Sequence, residues 1–343
     1  MNKIDIKSLS KNELESKLKK LGEATYRARQ IFKWLYKVGV ASFYDMTDIP
    51  LNFRKILKNN FYIMHLVVVD SKHSSLDGTA KYLFKLKDGN TIESVFLPEP
   101  KRNTICLSSQ VGCKYACSFC ASAPFGFVRN LSTSEIIDQV IILKKEKFSS
   151  NITNLVFMGI GEPLDNYNNV IKAIRIFNDK DAVNIGARKI TISTCGIIPG
   201  IKKLENEHLQ IELSVSLHSA HNNVRSKLIP INKKYPLRDL IDACKEYIKN
   251  TNRIITFEYI LIKDVNSSEG DALGLAKLLE KIKCKVNTIS YNQISAKNYK
   301  APSARDVKKF MQVLKREGIN AVMRKSKGED IDAGCGQLRI ARL

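Results

Sequence analysis

The sequence predicts an α/β fold built on parallel strands, closed as a partial barrel or open as a doubly wound sheet, and three observations predict it. From about residue 104 onward, β-rich segments alternate with amphipathic ones, and six or so such units in series imply right-handed crossovers. The conspicuous motifs all fall just after strand-like segments: CxxxCxxC after TICLSS, GIGEP after NLVFM, STCG after KITI, SLH after IELSV and YNQ after VNTIS. In a parallel barrel that is the end where sites form. The third observation is bulk: 343 residues, 44% hydrophobic and 26% charged, suit one large folded domain with a smaller one attached.

In chain order, residues 1–62 read as a small helical domain. KNELESKLKKLG comes first, then ATYRARQIFKWLYKVG with Ile31, Phe32, Leu35 and Tyr36 as its apolar stripe, then IPLNFRKILKNNF. Residues 63–100 change to a period of two: LVVVDSK, KYLFKL and NTIESVFL form an antiparallel β extension, with LKDGN supplying turn residues between the last two. Residues 101–343 hold the alternating series. TICLSS precedes SEIIDQVIILKKE, NLVFMG precedes NNVIKAIRIFN, KITISTC precedes PGIKKLEN, and IELSVSLH precedes LRDLIDACKEYIKN. RIITFEYILI, GDALGLAKLLEKI, KVNTISYN, DVKKFMQVLKREG and INAVMRK complete it, with no internal repeat and no low-complexity linker.

The start of the chain lacks the apolar core of a signal peptide, and the longest apolar run, around residues 61–69, falls short of a membrane span of about 20 residues. A cytoplasmic location is expected, without membrane contact. Lys plus Arg number 56 against 34 Asp plus Glu, a net charge of +22, which points to a polyanionic partner such as nucleic acid. Basic residues cluster at FRKILKN, KKYPLR and MRKSKG. Eight cysteines in such a chain argue for metal or thiol chemistry rather than a disulfide scaffold.

Cys113, Cys117 and Cys120 crowd into one loop with no fourth Cys or His close by, so a closed zinc site fits poorly. Three thiolates suit a [4Fe–4S] cluster with one iron left open to an exogenous ligand. Cys244 and Cys284 read as small buried hydrophobes, as does Cys195.

A CxxxCxxC loop after the first strand of a β/α array, with Phe119 before the third cysteine, resembles the radical SAM superfamily. RNTICLSSQVGCKYACSFC, VFMGIGEPLDNY, ISTCGIIPGI, SVSLHSAHNNVRSKLIPINKKYP and GEDIDAGCGQL narrow the likeness to the RlmN/Cfr family of RNA methyltransferases, over nearly the whole chain. The resemblance implies a partial (β/α)6 radical SAM barrel and an N-terminal accessory domain that binds RNA. It also implies methylation at C2 of an adenosine in 23S ribosomal RNA and in tRNA, two S-adenosylmethionine molecules per turnover, and an electron donor such as a flavodoxin or ferredoxin system. A monomer is expected. Methylation at C8 is the alternative within the family, although GEP in GIGEPLDN and the segment YRARQIFKWLY match the C2 enzymes. A non-catalytic iron–sulfur RNA-binding protein is the alternative of another class, and it has no need of Cys106 or Cys335.

Residue roles follow from the same resemblance. Cys113, Cys117 and Cys120 ligate the cluster; Gly161, Glu162, Ser193, Ser216, Leu217, His218 and Asn292 line the cofactor pocket. Adenine C2 is an electron-poor CH that cannot attack a sulfonium methyl as a ring nitrogen would, so the methyl group is first parked on a thiolate. That thiol is Cys335, which becomes an S-methylcysteine. A hydrogen is then removed from the S-methyl group, and the carbon radical adds to C2, joining protein to RNA. Cys106 resolves the adduct by a transient disulfide with Cys335, and Glu93 is the proton acceptor. Gly334 and Gly336 suit a loop that swings between the two steps. The target base has to leave its stack to meet the thiol.

Overall fold

In the computed structural model, which describes residues 3–145, 152–294 and 297–339, strand pairing follows from where the apolar segments alternate with polar turns. The N-terminal part begins with β1 (Ile4–Asp5), and its helices are α1 (Lys11–Lys20), α2 (Arg27–Phe32) and α3 (Leu51–Asn60). Ser10 caps α1 in a reciprocal box with Glu13, and α2 continues as a wider helical turn to Gly39, whose φ of 74° ends it. A short strand, β2 (Phe61–Tyr62), pairs parallel with β1 and closes the domain on itself.

Four antiparallel strands come next: β3 (Val67–His73), β4 (Ala80–Lys85), β5 (Thr91–Glu99) and β6 (Arg102–Cys106). A small hairpin, β7 (Gln110–Gly112) with β8 (Phe127–Asn130), carries the three-cysteine loop between its arms. The parallel series then runs α4 (Thr133–Lys145), β9 (Asn154–Phe157), α5 (Tyr167–Asn178), β10 (Ile190–Thr194), α6 (Ile198–Glu205) and β11 (Glu212–Ser216). It ends with α7 (Asn222–Leu228), α8 (Leu237–Thr251), β12 (Ile255–Leu261), α9 (Glu269–Leu279), β13 (Cys284–Ser290), α10 (Ala304–Arg316) and β14 (Ala321–Arg324). The last residue of the SEIIDQVIILKKE segment lies outside the described residues, and α7 is a helix that the sequence reading did not separate from its motif.

All but the short strands join one ten-stranded sheet in the order β14-β13-β12-β11-β10-β9-β6-β5-β4-β3. Neighbours from β6 to β14 are parallel, so the β extension is continuous with the barrel strands through β6. One cavity is lined by Thr104, Asn154, Thr191, Ser214, Thr256, Asn287 and Val322, which come from every parallel strand. The sheet therefore curls around a lumen, and because β14 pairs only with β13 the barrel stays partial. Among the described residues, no helix is long and apolar enough to cross a membrane.

The N-terminal domain is welded to the barrel by a buried ion pair. Lys7 Nζ donates to Asp138 Oδ1 on α4 at 2.5 Å, with both side chains fully enclosed. It also donates to the Met64 carbonyl, while Asp138 Oδ2 accepts from the Leu66 amide. Burial lowers the Lys7 ammonium against the opposing pull of Asp138, so the pair serves geometry more than net stability. Lys7→Met leaves a buried carboxylate unpaired and should cost about 3–5 kcal/mol in denaturant unfolding. The double variant Lys7→Met/Asp138→Leu should recover part of that loss, since no lone charge remains.

Candidate active site at the strand ends

The cysteine loop is built by local backbone bonds. Gly112 turns the chain with φ 73°, the Cys113 amide donates to the Gly126 carbonyl at 2.7 Å, and the Cys120 amide donates to Cys117 O at 3.1 Å. All three thiols line one cavity at the strand ends. Burial pushes the Cys113 thiol up to about 12, and it raises Cys117 and Cys120 as well, with like-charged cysteine neighbours adding to the effect at Cys117. Thiols in that setting ionise only when a metal takes them as thiolates. Among the described residues, no group of three or more His, Cys, Asp or Glu is arranged to hold a single metal ion. Three cysteines around a shared space, without a one-ion cage, fit a cluster such as [4Fe–4S] with a free face.

The facing wall depends on two glycines. A Cβ on Gly161, whose φ is 102°, would sit 2.5 Å from Gln110 Cβ, and one on Gly159 would sit 2.7 Å from the Leu107 carbonyl. No side chain fits between this turn and the segment entering the cysteine loop. Glu162 follows, 3% exposed. Its Oε1 accepts from the Leu164 amide at 2.9 Å and its Oε2 from the Cys195 amide at 2.7 Å, while burial raises its carboxyl. Asp165 ties the same turn to the cysteine loop, accepting from Gln110, Tyr115 and Lys114.

Ser193, Ser216 and His218 line the cavity beside Glu162. His218 Nδ1 accepts from the Ile260 amide at 3.1 Å, which leaves the ring proton on Nε2, and burial drives the imidazole down to about 3. It is a neutral donor. Phe119 meets it edge-on, 4.7 Å between ring centres. Asn266 fixes the left-handed turn at His218 by donating to the carbonyls of His218 and Ile260. Two expected pocket residues are placed elsewhere: Leu217 is fully buried under the wall, with its amide on the Glu258 carbonyl, and Asn292 donates to the Cys335 carbonyl at 3.3 Å.

Cys335 lines this cavity and also a second one, which it shares with Cys106 and Arg324. Cys335 is an exposed residue at the cavity mouth, yet its thiol is raised by the apolar side of that mouth, with Arg324 opposing the rise and Glu258 adding to it. Burial takes Cys106 up to about 12. Arg324 Nη1 stands 3.9 Å from Glu258 Oε2. Glu93 lies two residues from Val95, on the face of β5 that packs with Cys106, Ala333 and Leu338. It is ion-paired with Lys81 at 3.3 Å and accepts from the Arg339 amide at 2.9 Å.

Sequence reasoning missed Arg225, Glu258, Asn266 and Arg324, and it set Cys195 aside, although Cys195 lines the first cavity. Asn266 stands in VNSS and Arg225 in NNVRSKLIP, polar or mixed stretches in which nothing local marks either residue as enclosed.

Comparison with known proteins agrees with this geometry. Residues 107–276 match the radical SAM superfamily, and residues 4–63 match the ribosomal RNA large subunit methyltransferase N-terminal domain. A probable dual-specificity RNA methyltransferase RlmN from Clostridium novyi is 46% identical, covering 98% of this chain and 97% of its own. Its counterpart from Carboxydothermus hydrogenoformans is 45% identical over 96% of each. The crystal structure of a radical SAM methyltransferase from Sphaerobacter thermophilus superposes with a TM-score of 0.93 at 40% identity, over 98% of this chain and 99% of that one. With its fold, its cysteine loop and its sequence all in agreement, the chain belongs to the RlmN family of the radical SAM superfamily.

Proposed function

We propose that the chain is a dual-specificity RNA methyltransferase that methylates C2 of adenosine in 23S ribosomal RNA and in tRNA, through an S-methylcysteine at position 335. One observation carries the reading: Cys335 borders both the cavity of the three cysteines and the cavity of Cys106. A methyl carrier needs both neighbours, one side for loading and activation and the other for release. A [4Fe–4S] cluster held by Cys113, Cys117 and Cys120 would supply the electron that cleaves S-adenosylmethionine, and a flavodoxin or ferredoxin system would feed it.

The chain's own residues account for the rest. Glu162 and the Nε2–H of His218 offer an acceptor and a donor to the cofactor, while Gly161, Ser193 and Ser216 shape its wall. Leu217 and Asn292 serve one layer back, as backbone support and as a latch on the Cys335 loop. Cys335 takes the methyl group as a thiolate, favoured by the guanidinium of Arg324. Once the former S-methyl carbon on Cys335 is bonded to C2, Glu93 accepts the C2 proton and Cys106 attacks the Cys335 sulfur to free the methylated base, while the unpaired electron of the adduct would return to the oxidised cluster. The disulfide left behind is reduced before the next turnover, two S-adenosylmethionine molecules having been spent. The protein works as a cytoplasmic monomer in this scheme.

The decisive experiment is anaerobic incubation of reconstituted protein with S-adenosylmethionine, reductant and RNA, followed by mass spectrometry of the digested RNA. A methyl group on C2 is expected; one on C8, or none with full iron loading, would reject the reading. Cys335→Ala should abolish methylation, whereas Cys106→Ala should accumulate a covalent protein–RNA band on denaturing gels. Removing Arg324 raises the Cys335 thiol further, so the thiolate fraction at neutral pH falls. Arg324→Met should therefore slow S-methylation of Cys335 on the order of tenfold per pKa unit at pH 7, and the deficit should narrow as pH rises, read by intact-protein mass.

A further inference from the structure

Arg225, on α7, has no exposed surface, and four of its five guanidinium N–H groups are used in hydrogen bonds. Nε donates to the Leu217 carbonyl at 3.2 Å and Nη1 to Asn232 Oδ1 at 2.6 Å. Nη2 donates to the carbonyls of Cys195 at 2.8 Å and Ser216 at 2.9 Å. Every one of these acceptors is neutral, and no described carboxylate lies within ion-pair distance. A buried charge in that state is costly unless something anionic compensates it. Burial lowers the guanidinium only to about 10, so it stays protonated at neutral pH.

This charge is felt by the thiols of Cys195, Cys117 and Cys244, and by the imidazole of His218, which it helps burial to keep neutral. Cys117 belongs to the cysteine trio. The helix that carries Arg225 is also fastened to the trio's loop, because the Ser118 amide donates to the carbonyl of Leu228, the last residue of α7, at 2.9 Å. Cys195 and Ser216, whose carbonyls hold the guanidinium, both line the cavity. The cation thus sits just beneath the cavity floor, in a medium that screens it poorly.

We propose that Arg225 is the built-in counter-charge of the metal centre, a positioning residue that stabilises the electron-rich state of a thiolate-bound cluster and so raises its reduction potential. The inference rests on the reading of Cys113, Cys117 and Cys120 as cluster ligands. Reduction adds one electron to a site that already carries thiolates, and cluster potentials follow net local charge and hydrogen bonding. Arg225 touches no reacting atom. The missing carboxylate is informative: one placed beside Arg225 would compensate it in the empty site and cancel its effect on the loaded one.

The test uses two independent variants of the full chain, reconstituted anaerobically, with iron and sulfide content measured first and the midpoint potential then measured by EPR-monitored redox titration without substrate. Arg225→Gln removes the charge and keeps an amide donor. Asn232→Asp keeps the guanidinium and its Nη1 bond and sets a carboxylate beside it, with the loss of the Nδ2 donations to Asn222 and Ser226. Asn232→Ala removes those donations as well without adding the charge, and so controls for their loss. Arg225→Gln and Asn232→Asp should both lower the midpoint potential at wild-type iron content, while Arg225→Lys and Asn232→Ala should stay close to the wild type. Loss of iron from Arg225→Gln but not from Arg225→Lys carries the same conclusion. An unmoved potential in Asn232→Asp, or one lowered equally in Asn232→Ala, overturns the proposal, whatever the fate of the Arg225 variants. Failure of the wild-type chain to bind iron would instead reject the ligand reading on which it stands.

Discussion

The site depends on a close approach of two backbone segments. The Gly159–Gly161 turn after β9 lies directly against Leu107–Gln110 after β6, at a separation that no Cβ can occupy. Parallel pairing of Ile105 with Leu155 and Cys106 with Val156 brings the two strand ends level, and the glycines let the turns beyond them close together. Once closed, Gln110 bonds both the Glu162 amide and the Asp165 carboxylate, so the cysteine loop and the cofactor wall become one rigid piece. Their relative position is set by backbone contact rather than by long side chains.

Around that piece the polar groups are satisfied in ways that keep the cavity free of stray charge. His218 is held neutral by burial, and Glu162 has one backbone amide on each oxygen, with the Cys195 and Thr194 side chains bonding it as well. Asn266 takes the carbonyl that the left-handed turn at His218 exposes, and Tyr259 in turn donates to the Asn266 carbonyl. These groups resist reorganisation, as preorganised sites require. Charge does approach the cavity at Arg225 below the floor, which acts on thiols, and at Arg324 at the mouth, which lies near Cys335, Cys106 and the Glu258 carboxylate.

What was legible in the sequence was what repeats along the chain. The alternation of strand and helix gave the parallel series, because strands such as β9 and β10 alternate buried residues with partly exposed ones facing the lumen, while helices such as α5 and α10 carry one buried stripe. The cysteine spacing and GIGEP were readable since their chemistry is local. Residues whose role comes from tertiary neighbours were not: Arg225 sits in a basic, amphipathic-looking stretch, and only the fold reveals that it is enclosed and meets three strand-end carbonyls. Cys195 looked like Cys244, yet one lines a cavity and the other is sealed in the core. For Leu217 and Asn292, motif order gave proximity to the site without the direction of the side chain. On a strand end, adjacent residues point to opposite sides, and His218 took the cavity while Leu217 took the core.

The glycines around Cys335 were expected to make its loop mobile, and the packing argues for a different use. A Cβ on Gly334 would meet Asn292 Nδ2 at 2.5 Å, and Gly336 adopts φ 83°, so both are required by a fixed shape. That shape is latched at several points: Ala121 N–H on the Gly336 carbonyl, Ser122 Oγ on the Leu338 carbonyl, Asn292 on Cys335 and Gln337 on Gln293. Two of the latches come from residues directly after Cys120, so a large swing of the loop would pull on the cysteine loop itself. Cys335 already borders both cavities with the loop in this latched shape, so reaching either one requires no large movement of the loop. The latches therefore couple the Cys335 loop to the three-cysteine loop and leave the glycines as requirements of shape.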